Sequence, residues 1–152
     1  MGTGVLKALK IIAKYGLDTF PGTRALCRII RKKELLLGYH PFKGRIKGIY
    51  TRTPDGITLL TVRNGLPESE LKHALACGLG YHLLCPDPGL YLLGFRDAKA
   101  ESRVGAFAAL LLVPPAAYAG KTAHPPAELA RVGRIPDHAA RLRTLLAVRY
   151  KV

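Results

Sequence analysis

The chain has only three cysteines, Cys27, Cys77 and Cys85, and no CxxC pair. That argues against both a disulfide framework and a ribbon-type zinc site. Near the N-terminus no apolar stretch runs unbroken, because Lys7, Lys10 and Lys14 interrupt it at helical spacing, unlike the core of a signal peptide. The longest apolar run, Val104–Val113, is too short to cross a bilayer and ends at Pro114–Pro115. Gln/Ser-rich tracts, charge blocks and internal repeats are also missing, so the composition is not that of a disordered chain or an array. These absences predict a cytoplasmic protein in a reducing interior, with no membrane partner.

Acidic residues are scarce as well: ten, against 24 lysines and arginines, for a formal net charge of +14. Such a balance favours anionic partners, nucleic acid among them. The cations are spread from Lys7 to Lys151, however, and only Arg31–Lys33 forms a short run, which is the pattern of a solvated basic surface. What is present is a core: 49% of the 152 residues are apolar, and a chain of this length buries roughly 70% of its unfolded surface. One domain over 1–152 is expected.

Along the chain the apolar period is first helical. Residues 5–15 place Val5, Leu6, Leu9, Ile12 and Ala13 on one face, with Gly16 as the stop. A second helix is predicted over 22–34, capped by Thr23, with Ala25, Leu26, Ile29 and Ile30 inward and Cys27 buried as a small apolar residue. From 35 to 63 the period becomes that of strands. The sequence TPDG marks a hairpin of Ile46–Thr51 with Ile57–Val62, beside a third strand at Leu35–Tyr39.

Pro67, Glu68 and Glu70 open a helix over 67–84, stopped by CPDPG, and residues 90–96 read as a loop. A strongly apolar helix follows at 98–113. The tail reads as helix 126–132, a turn, and helix 137–148 capped by Asp137, a helix-turn-helix-like pair within 126–148. The fold class expected is α+β. His40, His124 and His138 fall in loop or cap contexts and read as surface residues.

The central helix carries LACGLGYHLLC at 75–85, and the next one AESRVGAFAALLLVP at 100–114. These segments resemble two blocks of the ImmA/IrrE family of zinc metallopeptidases, LAHELGHYLLH and EAEANRFAAELLMP, and the similarity in the order of parts spans nearly the whole chain. Leu75, Ala76, Leu79, Gly80, Leu83 and Leu84 match the first block. Glu101, Phe107, Ala108, Ala109, Leu111, Leu112 and Pro114 match the second. The resemblance implies a minimal zincin-like (gluzincin-type) domain and, as partner, a helix-turn-helix repressor that family members cleave.

The same alignment places Cys77 on the first zinc histidine, Gly78 on the general-base glutamate, Tyr81 on the second histidine and Arg103 on the third ligand. In HExxH two histidines four apart hold Zn²⁺ from one helical face while the glutamate takes a proton from its bound water. A glycine supplies no base, tyrosine ligates poorly at neutral pH, and arginine brings a fixed positive charge. The expectation is a catalytically inactive domain without zinc or other cofactor, acting by binding a protein.

Three rival readings remain. His73 and Cys77 share one helical stripe and could chelate a metal, giving an active peptidase with unorthodox ligands, although Ala74 then stands where its base should be. Cys77 could act as a nucleophile with His73 or His82, but a thiol midway along a buried helix is normally inert. The C-terminal helices could bind DNA, with Arg131, Arg134, Arg141 and Arg143 on phosphates. Gly78 and Gly80 lack the strand-turn-helix setting of a phosphate loop.

Overall fold

In the computed structural model, residues 1–94, 100–119 and 125–152 are described, and they form an α+β arrangement of seven helices and four strands. The predicted start of a helix at 98, loop positions 95 and 96, and His124 lie outside these residues. Helix α1 (Thr3–Tyr15) buries Val5, Ala8 and Ile11 and ends at Gly16, whose φ of 62° is the left-handed cap that glycine takes without strain. Helix α2 (Thr23–Lys32) buries Leu26, Ile29 and Ile30. Thr23 is its first helical residue rather than its cap; Gly22 holds the cap position, and Cys27 is only half-buried.

Strand β1 (Leu36–His40) follows, then the hairpin of β2 (Gly48–Arg52) and β3 (Thr58–Arg63). Its turn is closed by Gly56 N–H donating to the Thr53 carbonyl at 3.0 Å, and Gly56 takes a φ of 89°. The segment expected to be a loop at 90–96 instead contains β4 (Gly89–Leu93). The sheet order is β1-β3-β2-β4, with β1 parallel to β3 and the other pairs antiparallel. Its inner face carries Tyr50, Leu60, Val62 and Leu93 into the core.

Helix α3 (Glu68–Leu84) lies between this sheet and α4 (Ala100–Leu112), and it is buried on nearly every side from Lys72 to Tyr81. Glycine makes that possible twice. Positions 78 and 80 point about 200° apart on a helix, so they open opposite faces. A Cβ on Gly78 would lie 2.6 Å from Leu60 Cδ1 of β3, and one on Gly80 would lie 3.1 Å from both Phe107 and Val104 of α4. Bare backbone lets both layers close on α3. On α4's other side, Gly4 of α1 sits directly on the Arg103 carbonyl.

The chain closes with α5 (Pro115–Ala119), α6 (Pro126–Gly133) and α7 (Asp137–Tyr150), the last packed against α4 and α6. Asp137 is the first helical residue of α7 and makes no capping bond; Pro136 precedes it in extended conformation. Among the described residues no helix is long and apolar enough to cross a membrane.

Candidate site on the central helix

The four positions that the resemblance assigns to a metal centre lie in four different environments. Gly78 presses on Leu60, which is fully buried. Tyr81, also buried, stacks on Tyr91 of β4 with ring centroids 4.8 Å apart, and Tyr50 of β2 lies 6.3 Å from it on another side. Offset aromatic pairs at such spacing hold position well. Arg103 is exposed, and its charge acts on Cys85 and Tyr91. The Cys85 thiol is nonetheless pushed up, chiefly by burial.

His73 and Cys77 are brought together, one turn apart. The sulfur is 3.6 Å from Nε2 and 3.8 Å from Nδ1. Being nearly equidistant from both ring nitrogens, it lies off the lone-pair axis of either. The His73 ring also meets His138 of α7 edge-on at 4.7 Å, so His138, although exposed, is part of this contact. Burial, then His138 and Lys47, push the His73 pKa down to about 3. The pocket therefore disfavours added positive charge.

Zinc does not fit these residues. A tetrahedral site needs three or four convergent N, S or O ligands, and among the described residues no three of His, Cys, Asp or Glu converge in that way. Tyr81 is engaged by aromatic neighbours, Arg103 is a cation, and a side chain at position 78 would have to displace Leu60.

The polar chemistry of α3 is spent on holding the fold. His82 Nε2 donates to the Lys33 carbonyl at 2.9 Å, and Nδ1 accepts from the Tyr50 hydroxyl at 3.1 Å, which sets a single neutral tautomer. Burial depresses its pKa further than the bond to Lys33 raises it. Arg52 Nη2 donates to the His82 carbonyl at 3.0 Å. Together these bonds tie β2 and the end of α2 to the last turn of α3, where helix carbonyls lack partners. At the other end Lys72 is buried, and its Nζ donates to the Gly133 carbonyl of α6 at 2.6 Å. Tyr50, Arg52, Lys72 and Tyr91 carry no motif, so nothing local in the sequence distinguishes them.

The four arginines proposed for phosphate contact separate. Arg131, Arg134 and Arg141 are exposed, and Arg134 is paired with Glu68 at 3.0 Å. Arg143 is fully buried: Nε donates to the Val113 carbonyl at 2.7 Å and Nη1 to the Val152 oxygen at 2.9 Å, with the guanidinium over Tyr118 at 4.5 Å. It cannot reach a phosphate, and its assignment to DNA contact is corrected. A different group of cations is brought together at the N-terminal helices, where burial and the neighbouring charges of Lys14 and Lys7 lower the Lys33 pKa.

Compared with models of protein families and with curated proteins, the chain matches none.

Proposed function

We propose that the chain is a non-hydrolytic binding protein on an ImmA/IrrE-like, zincin-like scaffold, a regulator that holds a helix-turn-helix repressor without cutting it. The observation that carries the reading is the contact of Gly78 with Leu60. The position of the general base is a packing surface between helix and sheet, so a metal-bound water would have nothing to take its proton. The cation at 103 and the aromatic stack at 81 support the same reading. An active peptidase with His73 and Cys77 as its ligands has the sulfur's near-equal distance from both ring nitrogens against it, since one metal-binding nitrogen is not singled out.

The test is to incubate the purified chain with Zn²⁺ and a candidate helix-turn-helix repressor. Expected are an intact repressor and a complex on size-exclusion chromatography. Cleavage that Cys77→Ser abolishes would overturn the reading.

A second reading, a nucleic-acid-binding module, is favoured by the Lys7, Lys14 and Lys33 cluster. Like charges gathered on α1 and at the end of α2 suit a phosphate backbone. It predicts DNA binding that persists at about 150 mM salt and is lost in K7E/K14E but retained in R141E. The absence of binding even at low salt would remove it.

A further inference from the structure

The outer face of the sheet has the opposite character from the rest of this basic protein. Across the strands Leu36, Leu59, Thr51 and Leu90 form one outward row, and Gly38, Thr61, Ile49 and Leu92 form the next. Neither row contains a charge. Leu36 is 59% exposed, Leu90 60%, Leu59 38% and Leu92 36%, with Ile57 of the hairpin turn at 53%. An antiparallel sheet with one solvated face normally alternates apolar-in with polar-out, whereas here β3 reads leucine on both faces at Leu59 and Leu60. The helices that pack on the sheet, α2 and α3, do so from the inner side.

The rim is polarised. His40, Lys43 and Arg45 are exposed at the end where β1 and β3 finish, and Arg63 joins them by donating to the Gly44 carbonyl. Glu34 and Asp55 lie at the opposite end, also exposed. The sheet is about 19 Å wide and its strands about 17 Å long, from the usual strand spacing and rise. That footprint, roughly 300 Å², is well short of the ~800 Å² each partner contributes to a stable interface between folded proteins. Two copies meeting here would also each bring a net charge of +14. A helix of about twelve residues, roughly 18 Å long, covers the face.

We infer that the outer sheet face docks an amphipathic helix of a partner protein, with a leucine-rich stripe on the sheet and acidic residues at the end lying over Lys43 and Arg45. The inference adds a surface to the binding reading above and does not depend on the chemistry at α3. A repressor cut by the purified chain would overturn that reading and leave this one standing.

The probe is a fluorescein-labelled fourteen-residue (about four-turn) helical peptide with a leucine stripe and glutamates in its first turn. A second peptide carries lysines in their place. Expected is saturable binding of the acidic peptide to the full chain, at least tenfold tighter than the lysine peptide, and a loss of at least tenfold in L59E/L90E. Circular dichroism checks that this variant remains folded, and L145E, exposed on α7, serves as the control that binds like the parent. Equal binding by parent and L59E/L90E, or none by either, overturns the inference. So does a dimer in light scattering that L59E/L90E converts to monomer, since a second copy would then be the occupant.

Discussion

Replacing Arg143 with alanine lowers the unfolding free energy by about 3–5 kcal/mol, from the cavity left in the core and the backbone oxygens left without a donor. The side chain is completely enclosed, and its bonds to Val113 and Val152 satisfy oxygens at the end of α4 and beyond the end of α7. Truncation leaves those oxygens without their donor and opens a cavity beside Tyr118. The guanidinium itself is not fully satisfied, because Nη2 has no hydrogen-bond partner among the described residues, and burial pulls its pKa down to about 10. Arg143→Met removes that desolvated charge together with its bonds while keeping most of the volume. It should therefore cost less than Arg143→Ala. Urea denaturation at pH 7 measures both, and an alanine variant within 1 kcal/mol of the parent would contradict the enclosed geometry. Charge reversal at 143 is consequently no test of nucleic-acid binding, since unfolding would mimic lost affinity.

Acidification destabilises the protein from about pH 6.5 downward. The His73 pKa is lowered in the fold from 6.5 to about 3, so between these values the unfolded chain holds the extra proton and stability rises with pH. Above pH 6.5 both states are neutral at this position and it contributes nothing. Below it the loss is about 1.4 kcal/mol per pH unit, or roughly 3 kcal/mol by pH 4. His82, lowered for the same reason of burial, adds in the same direction. The groups around His73 are Cys77 on its own helix, His138 of α7, and Lys47, which is paired with Glu70 at 3.6 Å. His73→Phe keeps a ring against His138 and removes the titration, so its stability should fall less steeply between pH 6.5 and 4. An unchanged slope in that variant would place the acid sensitivity elsewhere.

Sequence periodicity was a good guide where structure is local and a poor one where it is not. The helices followed from the spacing of Val5, Leu26, Leu75 and Phe107, and the hairpin from TPDG. Strand β4 falls where the sequence predicts a loop, since it is pairing with β2, some forty residues earlier, that makes these five residues a strand. Helix α5 was hidden by Pro114–Pro115, a pair that reads as a stop although proline suits a first helical turn. Both predicted side-chain caps, Thr23 and Asp137, fell one residue inside their helices.

The site shows the same division. Cys77, Gly78 and Tyr81 were legible as departures from a motif, but their neighbours Leu60, Tyr50 and Tyr91 come from strands distant in sequence. For Arg143 a local signal did exist: it falls on the stripe of Ala139, Ala140 and Leu146, all buried in α7. Reading it as a surface cation gave residue type more weight than position.

Zinc titration of the purified, metal-stripped chain tests most directly whether α3 carries packing in place of a peptidase centre. With Leu60 against Gly78 and Tyr81 held in its stack, no saturable site of one zinc per chain is expected, and the melting temperature should not rise with added zinc. One tightly held zinc per chain, lost in Cys77→Ser and accompanied by a raised melting temperature, would contradict it.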